Sequence, residues 1–209
     1  MYLSMQFLPI EVSAIIGVIL GILFTGAFHE DGFADLCDGF GGGWQPEDIL
    51  RIMKDSRLGT YGVTGLLGIL LLKWQLLVGL LDTGAFSYFL IALVSAHSAS
   101  RFFSIALMMV LPYVQADKDS KAKPIAQDWH GLDMTWAAFF GVAPLILLVY
   151  LGLAWYSLLL CLAVGLINFT WIQAWYRQRL NGYTGDALGA SQQIQEVSLL
   201  IVLLACFPH

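Results

Sequence analysis

Charged residues are scarce in this chain. Only 12% of its 209 residues are charged, whereas 58% are hydrophobic, and the mean hydropathy is +0.75. Because about a quarter of the residues in a typical soluble domain are charged, this composition excludes an ordinary soluble domain. The formal net charge is −5 and no long basic tract is present, so no nucleic-acid partner is expected. The three scattered cysteines, Cys37, Cys161 and Cys206, predict neither a disulfide framework nor a CxxC metal site.

Long apolar runs dominate the sequence instead. Crossing a bilayer takes about 20 helical residues, and six runs approach or exceed that length. No Lys or Arg precedes the first run, so we do not expect it to act as a signal peptide. Because lipid offers no hydrogen bonds to the backbone, the runs predict a polytopic, all-α membrane protein, with residues 1–209 as a single transmembrane helical domain. The predicted spans are 9–28, 61–81, 85–112, 134–152, 155–176 and 187–207.

The basic residues between these spans are unevenly distributed. The first, third and fifth loops contain Lys and Arg, and the second and fourth contain none. The positive-inside rule therefore places the odd-numbered loops in the cytoplasm. Acidic clusters fall on the same side, so we expect a multi-pass protein of the cell inner membrane with a cytoplasmic active face. The basic residues that set this orientation are Arg51, Lys54, Arg57, Lys118, Lys121, Lys123, Arg177 and Arg179.

An acidic motif, HEDGFADLCDGFGGG, begins at His29, where the first apolar run ends. Asp31, Asp35 and Asp38 have the spacing i, i+4 and i+7, which places them on one face of a helix. Three like charges on one face repel each other unless a cation binds between them, and Mg²⁺ prefers carboxylates together with phosphate oxygens. The motif predicts a Mg²⁺ site; a solvated loop is the alternative. HEDG lacks the second histidine of HExxH, so His29 is assigned only a supporting role.

A glycine cluster closes this motif. Gly39, Gly41, Gly42 and Gly43 either form a flexible turn or point their backbone N–H groups inward as an anion-binding nest. The GK[ST] ending of a P-loop is absent. Gly41 and Gly42 are the candidates for contact with a phosphate.

A second motif, IMKDSRLGTYG, precedes the second span. Lys54 and Arg57 are able to hold a diphosphate, and Asp55 either adds a metal ligand or orients Arg57. Basic residues also flank spans simply to fix topology, and this alternative stays open. Just before the motif, Pro46 is suited to the first turn of a short interfacial helix over about 46–55.

Ionisable residues also lie deep within the predicted spans. An arginine at bilayer depth costs about 2.5–3.5 kcal/mol on insertion scales, so Arg101 is expected to face a partner, a cavity or a phosphate. Lys73 is similarly placed. In the last motif, TGDALGASQQIQE, Asp186 either caps the sixth span or takes part in chemistry. Glu196 lies deep in the same helix and needs a partner, for which Lys73 and Arg101 are the candidates.

These three motifs, in this order, resemble those of the cobalamin synthase family, the adenosylcobinamide-GDP ribazoletransferases. The resemblance extends from about Leu23 to Glu196. It implies a Mg²⁺-dependent membrane enzyme that joins α-ribazole, or its 5′-phosphate, to adenosylcobinamide-GDP and releases GMP. No cofactor besides Mg²⁺ is implied. Family members usually begin with a further segment and one more span, which this chain is expected to lack. Gln193 stands where the family commonly has an acid.

The resemblance also implies roles for residues. Mg²⁺ would be held by Asp31, Asp35 and Asp38, so that Asp35 counts as catalytic, and either Asp55 or Asp186 would accept the hydroxyl proton. The candidates for binding the substrate phosphates are Lys54, Arg57, Arg101, Gly41 and Gly42. Supporting roles are assigned to His29 and Glu196. Two other hypotheses stay open, namely a divalent-cation or small-solute transporter and an inactive fragment of the synthase. Oligomerisation, or membership of a corrinoid-assembly complex, is a possible further property.

Overall fold

The computed structural model describes residues 6–114 and 131–207, and the regular secondary structure of this part is helical. The all-α prediction is therefore confirmed. Lys118, Lys121 and Lys123 of the predicted third loop lie outside the described residues. The helices are α1 (Ile10–Thr25), α2 (Phe28–Gly42), α3 (Pro46–Met53), α4 (Thr60–Asp82), α5 (Phe86–Ala106), α6 (Gly131–Tyr150), α7 (Trp155–Leu180) and α8 (Gly185–Cys206).

Five of these helices, α4 to α8, are long and apolar enough to cross a membrane. Together α1 and α2 make a sixth candidate span, but the two helices meet at an angle of 91°. The multi-pass prediction is confirmed, and α4 to α8 correspond to the last five predicted spans. The first predicted span is wrong at its end, because the helix stops at Thr25 rather than continuing to residue 28.

The bend between α1 and α2 has a backbone cause. Gly26 and Ala27 have φ values of 66° and 59°, so two successive residues lie in the left-handed region. A right-handed helix cannot continue through them, and the chain turns. Glycine adopts this region freely, whereas for Ala27 it costs about 1–2 kcal/mol. The bend makes the acidic motif a separate helix.

Helix α8 is the centre of the fold. In its most apolar 18 residues 67% are buried, compared with 17–44% in the other four spanning helices. It packs against α2, α4, α5 and α7. The contact with α2 is very close, because a Cβ atom on Gly32 would lie 2.6 Å from the backbone oxygen of Asp186. Glycine at this position allows the acidic motif to approach the start of α8.

The short helix predicted at 46–55 is present as α3, with Pro46 in its first turn. Glu47 and Asp48 follow Pro46, an order that suits the positive end of the helix dipole. Its apolar side chains, Ile49 and Met53, are buried against α2, whereas an interfacial helix would turn them toward the bilayer. Helix α3 therefore braces the acidic helix from the side.

Candidate functional site

The acidic motif forms one face of α2, as its spacing predicted. The depth of the three carboxylates differs: Asp31 is exposed, Asp35 is half-buried and Asp38 is buried. Asp35 lies within electrostatic reach of Asp31, Asp38 and also Asp186. The close crossing of α2 and α8 thus adds a fourth carboxylate to the acidic face.

Asp38 is committed to a structural contact. One of its carboxylate oxygens accepts a hydrogen bond from the backbone N–H of Gly59 at 2.7 Å, and the other accepts one from Gly62 at 2.8 Å. These donors belong to the first turn of α4, where backbone N–H groups have no partner within the helix. Asp38 therefore holds the start of α4 against the end of α2, a role that its spacing alone did not reveal.

The carboxylates of the acidic face are ligands of the type that Mg²⁺ prefers. Among residues 6–114 and 131–207, no three His, Cys, Asp or Glu side chains converge closely enough to form a ready metal site. Asp31, Asp35 and Asp186 make no salt bridge within those residues. Mg²⁺ commonly takes only one or two carboxylates and completes its shell with water and substrate phosphate. The donor chemistry of Asp31 and Asp35 therefore fits Mg²⁺, with Asp186 beside them.

The glycines at the end of the motif do not form an anion nest. Helix α2 continues through Gly42, so these residues have helical backbone rather than the loop geometry that a nest requires. The nest interpretation is wrong because the chain stays helical. The absence of a side chain at Gly41 allows α2 to pack against Tyr61 on α4, because a Cβ atom at this position would overlap the Tyr61 ring. Gly42 lines a neighbouring cavity.

That cavity, of about 320 Å³, lies between the end of α2 and the start of α4 and is called here the basic cavity. Arg51, Arg57 and Asp38 contribute to its wall. Arg57 binds Asp55 in a bidentate manner, with Nη2 to Oδ2 at 2.6 Å and Nε to Oδ1 at 3.0 Å. These hydrogen bonds hold the pKa of Asp55 below its usual range. Of the two roles predicted for Asp55, the structure supports the orientation of Arg57.

Lys54 is placed differently from Arg57. It is the residue directly after α3, it is exposed, and it does not line the basic cavity. Of the two basic side chains in this motif, Arg57 therefore lines the basic cavity and Lys54 lies at the protein surface.

A second group of polar residues is buried between α2, α4, α5 and α8. Lys73 Nζ lies 3.0 Å from Glu196 Oε1 and donates a hydrogen bond to Gln193 Oε1 at 2.8 Å. Gln193 Nε2 in turn donates to Glu30 Oε1 at 3.0 Å, and His97 Nδ1 lies 3.2 Å from Glu196 Oε2. The prediction that Glu196 needs a partner is confirmed, and Lys73 provides it. We call this group, completed by Gln192, the buried polar cluster.

Arg101 lies at the edge of the buried polar cluster. Its Nη1 donates to the backbone oxygen of His97 at 2.9 Å. Together with His29 and Glu196 it lines a cavity of about 390 Å³, called here the intramembrane cavity. Arg57 lines the basic cavity instead, so the structure does not bring the two arginines to one phosphate site.

Sequence reasoning assigned no role at this site to Glu30, His97, Gln192 and Gln193. The available signal was the recurrence of polar residues four apart within apolar spans, as in His97 and Arg101 and in Gln192 and Glu196.

The cap of α8 also differs from the expectation. Thr184 accepts a hydrogen bond from the backbone N–H of Ala187 at 3.1 Å and is the N-cap residue. Asp186 is the second residue of α8 and lies within its first turn, so its capping role is wrong.

Comparison with known proteins assigns the chain to a family. Residues 1–204 match the cobalamin-5-phosphate synthase family. An adenosylcobinamide-GDP ribazoletransferase of Shewanella oneidensis is 47% identical over 208 residues, which cover 97% of this chain and 75% of that protein. The ribazoletransferases of Shewanella baltica and Shewanella frigidimarina are 46% and 45% identical over 97% and 98% of this chain. No solved structure matches. The chain belongs to the cobalamin-5-phosphate synthase family.

Proposed function

We propose that this chain is an adenosylcobinamide-GDP ribazoletransferase, which joins α-ribazole or its 5′-phosphate to adenosylcobinamide-GDP late in cobalamin biosynthesis. Family membership and relatives of this name at 45–47% identity support the assignment. The structural observation that carries it is the close crossing of α2 and α8. This crossing sets Asp186 beside the acidic face of α2. The basic cavity, where Arg51 and Arg57 line the wall together with Asp38 and Asp55, lies at the end of the same helix.

The reaction is a displacement at phosphorus. The ribazole 3′-oxygen forms a bond to the phosphorus attached to cobinamide, and the bond from that phosphorus to the bridging oxygen breaks. The bridging oxygen leaves with GMP, and the hydroxyl proton passes to a carboxylate. Catalysis of such transfers rests mainly on positioning and on electrostatic stabilisation of the phosphoryl oxygens.

Asp31 and Asp35 are the residues that would hold Mg²⁺, which when bound neutralises charge on the diphosphate and the departing GMP. Asp38 contributes indirectly, because its hydrogen bonds hold α2 against the start of α4. Its hydrogen bonds keep the acidic face and the basic cavity in a fixed relation. The spacing suggested that Asp31, Asp35 and Asp38 all bind Mg²⁺, whereas we now assign metal binding to Asp31 and Asp35 and a structural role to Asp38.

The guanidinium of Arg57 is the best-placed phosphate ligand. Asp55 holds it in a bidentate ion pair at the wall of the basic cavity, which reduces the side-chain freedom lost on binding. Lys54, which precedes Asp55 in the chain, is a further candidate for contact with a phosphate. Gly42 forms part of the wall.

Asp186 is the better candidate for the proton acceptor. Asp55 has both carboxylate oxygens bound to Arg57, and this contact holds its pKa low, so Asp55 is a weak base. Asp186, in contrast, makes no salt bridge within the described residues and lies next to Asp35. We therefore assign the proton transfer to Asp186 and the orientation of Arg57 to Asp55.

The experiment measures GMP release by the purified chain in liposomes, supplied with adenosylcobinamide-GDP, α-ribazole 5′-phosphate and Mg²⁺. Asp35→Asn should reduce turnover by at least about 10³-fold, because it removes a charge at the proposed metal site. Asp82→Asn, at the far end of α4, is the matched control and should retain turnover. Equal turnover in both variants would remove the acidic face from the mechanism.

The cytoplasmic active face is tested separately. We propose that the protein lies in the inner membrane of a bacterial cell. Its odd-numbered loops face the cytoplasm, because these loops carry the basic residues. In a variant without native cysteines, Ser56→Cys should resist a membrane-impermeant maleimide in intact spheroplasts and react after lysis. Thr83→Cys, in the second loop, should react before lysis. The reverse pattern would invert the topology.

A further inference from the structure

The intramembrane cavity is polar at one end and apolar along its length. Helices α1, α4 and α5 supply apolar walls, and α2, α4, α5 and α8 supply the polar end, where Lys73 is the contribution of α4. Its volume of about 390 Å³ lies in the range of about 300–1,000 Å³ typical of small-molecule sites. The apolar wall includes Val18, Phe24, Phe89, Leu90 and Leu93. This combination is typical of a site for a compact ligand with an apolar ring and a polar end.

The polar end contains groups that the protein leaves unsatisfied. Glu30 is only 7% exposed, yet its Oε2 accepts no hydrogen bond within the described residues. An unpaired buried acceptor costs free energy, about 1–3 kcal/mol, unless a ligand or water supplies a donor. Arg101 uses Nη1 for His97, and within residues 6–114 and 131–207 its Nη2 donates no hydrogen bond. Glu30 and Arg101 both line the cavity, so its polar end carries a carboxylate and a guanidinium.

We propose that this cavity binds the nucleoside acceptor, α-ribazole or its 5′-phosphate. The bicyclic aromatic base lies along the apolar wall, a ribose hydroxyl donates to Glu30, and the 5′-phosphate, where present, contacts Arg101. This inference rests on the proposed function and assigns one of its two substrates. Adenosylcobinamide-GDP is far too large for the cavity, and its diphosphate has a separate place in the basic cavity.

The intramembrane cavity and the acidic face are adjacent, because both include residues of the first turns of α2, directly after the bend. His29 and Glu30 line the cavity, and Asp31 follows at once on the same helix. At 1.5 Å per residue, Asp35 lies only about 9 Å along α2 from His29. A nucleoside anchored by its base in the membrane would therefore present its ribose toward the acidic face. Glu30 and Arg101 are binding residues in this arrangement, and Leu93 shapes the pocket.

The test compares two neighbouring positions on α5. Leu93 lines the cavity, whereas Val94 does not and is 52% exposed on the outer surface. Leu93→Trp fills the cavity and should raise the KM for α-ribazole 5′-phosphate at least about tenfold while leaving the KM for adenosylcobinamide-GDP unchanged. Val94→Trp adds the same side chain facing outward and should change neither constant.

Direct binding supplies a second readout that does not depend on turnover. Calorimetric titration of the protein in nanodiscs with α-ribazole 5′-phosphate, without adenosylcobinamide-GDP, should show binding that Leu93→Trp weakens at least about tenfold. Arg101→Gln should weaken binding of the 5′-phosphate more than binding of α-ribazole itself.

The outcomes separate this inference from the proposed function. If wild-type protein turns over but Leu93→Trp changes only the KM for adenosylcobinamide-GDP, or changes only the phospholipid that copurifies, the cavity is not the nucleoside site. Unaltered binding of the nucleoside by Leu93→Trp would overturn the inference in the same way. Absence of turnover by wild-type protein would contradict the proposed function, whereas nucleoside binding would still test the cavity.

Discussion

Lys73 Nζ lies 3.0 Å from Glu196 Oε1 in the interior of the helix bundle, and both side chains are almost fully buried. Glu30 Oε1 is 3.8 Å from the same ammonium group, so one cation faces two carboxylates. Such charges are tolerated at this depth because they are paired and hydrogen-bonded. The pair connects α4 to α8 directly beside the intramembrane cavity.

Removal of one partner of this pair should be costly. Lys73→Met leaves two buried carboxylates without their cation and should lower the free energy of unfolding by about 3–5 kcal/mol. The double variant Lys73→Met/Glu196→Gln should recover part of the loss, because it also removes a buried negative charge. Thermal unfolding in detergent, with Leu72→Met as the control, measures the difference. A double variant no more stable than Lys73→Met would show that the charges are not coupled.

Asp38 should prove more important for stability than for metal binding. Asp38→Ala removes the acceptor for the N–H groups of Gly59 and Gly62, and should cost about 1–3 kcal/mol. Asp38→Asn keeps one acceptor oxygen and should cost less. We expect the Mg²⁺ concentration for half-maximal turnover to change little in Asp38→Asn. A change as large as that in Asp31→Asn would make Asp38 a metal ligand instead.

Gly41 is required for its size rather than for its backbone freedom. Gly41→Ala should destabilise the contact between α2 and α4, because its methyl group meets the ring of Tyr61. Tyr61→Ala in the same chain should remove the clash and restore stability. Thermal unfolding of the single and double variants is the measurement. Loss of turnover at unchanged stability, with no rescue by Tyr61→Ala, would return Gly41 to a role in phosphate binding.

Thr184 should act as a simple helix cap. Thr184→Ala removes the hydrogen bond to the N–H of Ala187 and should lower the free energy of unfolding by about 1 kcal/mol. Thr184→Ser keeps the hydroxyl and should be nearly neutral. Turnover per folded molecule should stay unchanged in both variants, which separates this position from Asp186. A stability loss in Thr184→Ser equal to that in Thr184→Ala would contradict the capping role.

Much of the fold was accessible from the sequence because membrane helices leave a strong signal. Spans α4 to α8 follow from continuous apolar runs, and the helical nature of the acidic motif follows from its spacing. The bend at Gly26 and Ala27 was not accessible, since one glycine within an apolar run does not specify a left-handed pair. Sequence reasoning therefore extended the first span by three residues beyond Thr25.

The candidate site was only partly accessible for a related reason. The position of Glu196 deep within an apolar helix indicated that it needs a partner. The choice of Lys73 depends on how α4 packs on α8, and the two residues are more than a hundred positions apart in the chain. The contact of Asp38 with Gly59 likewise depends on tertiary packing, and nothing in the local spacing distinguishes Asp38 from Asp31 or Asp35. Spacing identifies the residues that share a helix face. The role of each residue depends on which neighbouring element packs against it, and this is not visible in the local sequence.

The most direct test of the central claim is product analysis with the purified wild-type chain in liposomes. Adenosylcobinamide-GDP and α-ribazole 5′-phosphate are supplied with and without Mg²⁺, and mass spectrometry follows GMP and adenosylcobalamin 5′-phosphate. Both products should appear in equal amounts, and only when Mg²⁺ is present. Failure to form either product with Mg²⁺ present, from protein shown to be folded and inserted, would contradict it.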